Sequence, residues 1–160
     1  MEIHVPCVAY FLTWTTYGTW LHGDERGAVD DEQNHRGMPY LERDSARLEW
    51  MRARMVEPAF TLGPEAGGIV ERAIGELSAR RRWRIHAVNA RSNHVHLVVT
   101  APSHAPQLVV KQCKEWSTRA LRDRGIGTDR THLWTRMAST RWINDADSLR
   151  RTVDYVANHQ

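Results

Sequence analysis

Residues 84–100 read RIHAVNARSNHVHLVVT, and this stretch decides the fold. Two runs rich in β-branched residues, 84–89 and 94–100, flank Ala90-Arg91-Ser92-Asn93, a segment of hairpin length made of turn-forming residues. Successive strand side chains alternate faces, so His94 and His96 share one face while Val95, Leu97 and Val99 face the other, toward helices. A strand with an apolar back and two imidazoles on its front is a candidate platform for a divalent cation. Imidazole nitrogen suits Mn, Zn, Co or Ni. Mg prefers oxygen and takes two histidines only where substrate phosphate supplies the remaining ligands. The alternative is a pair of exposed polar residues, because a His-x-His triplet is short and the chain holds nine histidines.

Outward from this hairpin, 8–15 (VAYFLTWT) reads as a buried strand. The stretch 16–40, TYGTWLHGDERGAVDDEQNHRGMPY, is rich in Gly, Asp and Arg and has no sustained period. It is expected to be a long loop insertion, residues 16–43, and loops of this length inside a domain are often functional. A plain surface insertion is the other reading. Residues 44–57 read as a helix carrying Leu48, Met51 and Met55, stopped by Pro58. A second helix over 64–82 starts at Pro64 and carries Ile69 or Val70, Ala73 and Leu77 as its stripe. A third over 107–124 buries Val109, Cys113, Trp116 and Ala120 and is C-capped by Gly125. Residues 133–143 are strand-like, and Asn144 or Asp145 can cap a last helix running to about His159. Strand, helices, strand, strand, helix, strand, helix is a split β-α-β order. It predicts one α+β domain over 1–160, a ferredoxin-like antiparallel sheet with helices on one face.

With 41% hydrophobic and 26% charged residues, the chain has material for a core and a solvated surface. No run approaches the ~18 apolar residues of a membrane span. The start, MEIHVPCVAYFLTW, has neither a basic leader nor a small-residue cleavage site. Cys7 and Cys113 lie far apart, which argues against a disulfide framework and for the cytoplasm. A net charge of +3 is a weak pointer to nucleic acid. Its distribution says more: Arg80, Arg81, Arg82 and Arg84 cluster around Trp83, either as a solvated basic surface or as a phosphate-binding one. Seven tryptophans are many for this length, and most are expected in the core, with a few available to stack on unpaired bases.

The last helix supplies a second chemical group. On a wheel of about 100° per residue, Leu149, Val153 and Val156 fall within roughly 60° of one another, and Tyr155 lies about 120° off that stripe. His159 follows four residues later on the same side, and Gln160 falls back toward the stripe. A phenol oxygen can attack a phosphodiester in line and keep the phosphate as a covalent ester. Phenols are poor nucleophiles at neutral pH, their proton leaving only near pH ~10. A cation on the scissile phosphate offsets this by neutralising charge and orienting the group. The alternative for Tyr155 is an ordinary surface tyrosine.

Three sets of residues, in this order along the chain, resemble a known family. Leu12-Thr13-Trp14-Thr15-Thr16-Tyr17-Gly18-Thr19-Trp20-Leu21 with Gly23-Asp24-Glu25-Arg26-Gly27 resembles the REP-associated tyrosine transposases, and Ser92-Asn93-His94-Val95-His96-Leu97-Val98-Val99 resembles the HUH motif of the single-tyrosine transposases. Leu133-Trp134-Thr135-Arg136, Trp142-Ile143 and Asp154-Tyr155-Val156 complete the pattern over nearly the whole chain. The resemblance implies an RRM-like sheet, the HUH pair on a central strand, and the tyrosine on a C-terminal helix. It implies cleavage of single-stranded DNA beside a small hairpin, a 5′-phosphotyrosine link, and Mg or Mn as cofactor. His94 and His96 are then metal ligands and Tyr155 the nucleophile. The third ligand is a polar side chain on the tyrosine helix, His159 or alternatively Gln160. Trp20, His22 and Arg26 in the insertion, with Arg80, Arg81, Arg82 and Arg84, are candidate DNA contacts. The protein is expected to act as a monomer or a homodimer. A non-catalytic single-strand nucleic-acid binder on the same sheet, a related replication or plasmid-transfer nickase, and a metal-dependent hydrolase using water compete with this reading.

Overall fold

The computed structural model describes residues 7–19 and 55–158. Four strands and three helices lie within them: β1 Ala9–Thr16, α1 Pro64–Arg81, β2 Arg84–Ala90, β3 His94–Thr100, α2 Pro106–Asp123, β4 Trp134–Ile143 and α3 Ala146–Asn158. The strands form one antiparallel sheet in the order β2-β3-β1-β4. Each helical crossover, β1-α1-β2 and β3-α2-β4, therefore joins two parallel strands with one antiparallel strand between them. That is the interleaved split β-α-β arrangement expected from the element order.

The two faces of the sheet bury different things. Tyr10, Leu12 and Trp14 of β1 and Val95, Leu97 and Val99 of β3 point to one face and meet Ile69, Val70, Ile74 and Leu77 of α1 and Val109, Cys113 and Leu121 of α2. This is the main core. On the other face Ala9, Val98, Ile143 and Val156 form a smaller cluster, with Phe11, Ala87, Leu149 and Val153 packed against it. Thus α1 and α2 cover one face, as the valine alternation of β3 required, and α3 lies across the other, on β2 and β3.

Local chemistry explains the helix ends. Pro64 opens α1 without losing a backbone donor the helix needs. Gly125, at φ +78, closes α2 with Gly125 N donating to Arg122 O and Ile126 N to Leu121 O, both at 3.0 Å. Asp145 caps α3, Oδ1 accepting from Ser148 N at 2.8 Å and Oδ2 from Ser148 Oγ at 2.9 Å. The stripe of α2 turns slightly from expectation. Val109 and Cys113 are buried, but Ser117 and Leu121 continue the line, leaving Trp116 and Ala120 only partly buried.

The expected helix over 44–57 lies mostly outside the described residues, and Met55, Val56 and Glu57 are not helical. Thr16, read as the start of the insertion, is the last residue of β1, and a turn follows at 17–19. Cys7 is exposed and Cys113 buried, both as free thiols. Among the described residues no helix is long and apolar enough to cross a membrane.

Candidate active site

His94 and His96 stand on the α3 face of β3, with ring centroids 4.6 Å apart. The pair is central because β3 is an inner strand: Thr15 and Thr13 of β1 lie opposite His94 and His96, and Asn89 of β2 flanks His96 on the other side. His96 is 7% exposed. Its Nδ1 lies 2.7 Å from Thr13 Oγ1. Burial first, then the neighbouring His94 and Arg91, push its pKa down to about 4, so the ring is neutral at physiological pH. The Nδ1 of His94 lies 2.7 Å from Asn93 Oδ1. Both rings are thus held through Nδ1. A proton on Nδ1 puts the Nε2 lone pair of each ring on the ligating side, a donor set that fits a divalent ion of the Mn type. Among the described residues no group of three or more His, Cys, Asp or Glu gathers.

Tyr155 reaches the same place from α3. The residue is 45% exposed, and its ring centroid lies 6.0 Å from that of His96. Phe11 of β1 joins the two, tilted against His96 at 5.3 Å and edge-on to Tyr155 at 6.3 Å. Two features hold the helix here. Val156 is fully buried in the smaller cluster, and Asn89 Nδ2 donates to Val156 O at 3.1 Å. The wheel puts Tyr155 off the apolar stripe, and so it is. Because α3 lies on the histidine face, that offset aims the ring along the sheet surface beside His96. His159 and Gln160 lie outside the described residues.

Trp20, His22 and Arg26 also lie outside them, but the two ends of their segment are on view. Tyr17 N donates to Leu133 O and Thr16 N to Asn93 O, at 2.8 and 2.9 Å. Phe60 N donates to Tyr17 O at 2.8 Å, and Val56 N to Tyr17 Oη at 3.1 Å. Gly18, at φ +75, has Met55 and Ala59 where a Cβ would stand. The chain therefore leaves and re-enters at one spot, at the His94 end of β3. The arginine cluster is elsewhere. Arg84 pairs with Thr100 at the opposite end of β3, and Arg82 sits in the left-handed region at φ 60 after α1. Arg80 covers the Trp116 ring at 5.4 Å, and Arg81 Nε donates to Gln112 Oε1 at 2.9 Å, both on the α1–α2 layer. Six residues of strand, about 20 Å, separate that end from His94.

Sequence reasoning missed Thr13, Asn93 and Asn89 as parts of the site. Strand alternation in LTWTT marks Thr13 and Thr15 as a polar face, but nothing local says which histidine they oppose.

The comparisons with known proteins bear on the family and the fold. The family profile described as "Transposase IS200 like" matches residues 62–159, more than half of the chain. Among solved structures, a REP-associated tyrosine transposase bound to a REP hairpin aligns with a TM-score of 0.50 at 12% identity, covering 98% of this chain and 68% of that one. A putative transposase from Deinococcus radiodurans aligns with a TM-score of 0.44 at 14% identity, over 100% of this chain and 96% of that one. No curated protein matches. The first structure bears out the α+β fold, and the profile settles the family: the chain belongs to the IS200-like transposases.

Proposed function

We propose that this transposase belongs to the REP-associated branch and is a metal-dependent single-strand DNA endonuclease and strand transferase with Tyr155 as nucleophile. The observation that carries the reading is the exposed Tyr155 ring 6.0 Å from His96, on the face where both imidazoles stand. Tyr155 Oη attacks the scissile phosphorus in line and gives up its proton. The bond from phosphorus to the 3′ oxygen breaks, that oxygen takes up a proton, and the 5′ phosphate stays on the tyrosine. Attack by a 3′ hydroxyl on this ester reverses the step and joins strands, so no external energy source is needed. His94 and His96 would hold a divalent ion, with His159, or alternatively Gln160, as third ligand. When bound, Mg or Mn neutralises charge on the phosphate oxygens. Phe11 and Asn89 fix the approach of the helix to the pair.

The substrate is single-stranded DNA carrying a hairpin; a REP-associated tyrosine transposase of the same fold is bound to a REP hairpin. Trp20, His22 and Arg26 contact the cleaved strand. Arg80, Arg81, Arg82 and Arg84 contact the hairpin backbone. The place of action is the cytoplasm.

The test is incubation with hairpin-bearing single-stranded DNA and Mn or Mg, followed by denaturing electrophoresis. A protein–DNA adduct is expected, absent from Tyr155→Phe, which still binds the DNA. Binding without any adduct from the wild-type protein would instead favour a non-catalytic single-strand binder. An adduct surviving in Tyr155→Phe would mean another nucleophile.

A further inference from the structure

The histidine pair is positioned by neighbours that the proposed chemistry has not yet used, and one of them is placed to choose the form of His96. Thr13 stands directly opposite His96 across the β1–β3 ladder, the two being 83 positions apart in sequence. Facing residues of an antiparallel pair bring their side chains into contact range. Both are buried, Thr13 at 9% exposure and His96 at 7%. The Oγ1–Nδ1 distance is 2.7 Å. A hydroxyl can donate or accept, whereas a neutral imidazole has one N–H. If Thr13 accepts, the proton is on Nδ1 and the lone pair of His96 is on Nε2. If Thr13 donates, the proton is on Nε2 and that nitrogen cannot take a cation.

We infer that Thr13 is the positioning residue of His96: its Oγ1 accepts from Nδ1–H, fixing the ring rotation and the tautomer that presents the Nε2 lone pair. The inference rests on His96 being a metal ligand. Phe11 completes the arrangement, lying against the ring at a centroid distance of 5.3 Å and 32° between planes, so the imidazole is gripped at one nitrogen and along its flank. Partners of this kind commonly change metal affinity about 10- to 100-fold when removed.

The test combines cation affinity with a direct reading of the proton. Mn2+ binding is measured by titration calorimetry, and the ring nitrogens of His96 by 15N NMR on metal-free protein. Thr13→Val, which keeps the shape and loses the acceptor, is expected to weaken Mn2+ binding about 10- to 100-fold. It is also expected to remove the Nδ1–H signature of His96. Thr13→Ser is expected to restore both, and Thr13→Ala serves if the valine protein does not fold. Wild-type affinity and unchanged His96 shifts in Thr13→Val would overturn the inference, as would failure of Thr13→Ser to rescue. If the wild-type protein binds no Mn2+ at all, the metal-dependent reading of the site fails, and the NMR signature alone decides the role of Thr13.

Discussion

Tyr155 and His96 face each other across the open side of the sheet, ring planes inclined by 67° and centroids 6.0 Å apart. One comes from a helix and the other from an inner strand, and neither packs the main core. The relationship exists because α3 crosses the face opposite α1 and α2, packing Val156 with Val98 and Ile143 on the face that carries the histidines. Four expected outcomes follow from how this contact and its surroundings are held.

Asn89 ties α3 to the sheet by donating to Val156 O. Asn89→Ala removes this one hydrogen bond between sheet and helix, at a cost of about 1 kcal/mol. The loss falls on the placement of Tyr155. Adduct formation with hairpin DNA should drop several-fold while Mn2+ affinity, measured calorimetrically, stays at the wild-type value. Equal losses in both would show that Asn89 acts on the histidines.

Val156 is the fully buried anchor of α3 in the smaller cluster. Val156→Ala removes about two methylene equivalents from that contact and should cost about 2 kcal/mol. Hydrogen exchange should rise chiefly in 146–158, with α1 and α2 remaining protected, because the two clusters sit on opposite faces.

Lys114 reaches from α2 to the irregular part of β4, donating to Thr135 O at 2.8 Å and lying 3.5 Å from Met137 O. Burial lowers its pKa from 10.5 to about 8. The unfolded chain then binds more protons than the folded one between those values, so this group's contribution to stability rises with pH across the window and is absent below pH 8. Cys113 next to it, its thiol pushed up to about 12 by burial, acts in the opposite sense above pH 9. Comparison with Lys114→Met cancels the cysteine. Urea unfolding at several pH values from 7 upward should show the wild-type protein gaining on the variant as pH rises, by at most ~3 kcal/mol. A constant difference would mean the ammonium is not desolvated.

Arg141 stands opposite Phe11 on β4, which puts it on the Tyr155 face, and it is exposed. Arg80 and Arg81 stand on the other layer. Arg141→Gln should weaken binding of a short unstructured strand and reduce the slope of log K against log salt by about 1. Paired Arg80→Gln and Arg81→Gln should change that slope only with hairpin-bearing DNA. An unchanged slope in either case removes the residue from the footprint.

What the sequence determined by itself is everything set by local period and punctuation. The two-residue period of HVHLVVT put both imidazoles on one face and the valines on the other. The helical period of the last segment put Leu149, Val153 and Val156 together and Tyr155 apart from them, and Pro64, Gly125 and either Asn144 or Asp145 marked helix ends, of which the structure uses Asp145 for the last. The order of elements gave the split β-α-β topology, and the motif string gave the family. Only the tertiary structure decided that Thr13 opposes His96, that Asn89 holds Val156 O, and that α3 lies on the histidine face. The reason is physical. A period says which side chains share a face of their own element, but the partner of that face is chosen by joint burial of residues distant in sequence, here Ala9, Val98, Ile143 and Val156. Tyr155 meets His96 because those four apolar residues pack together.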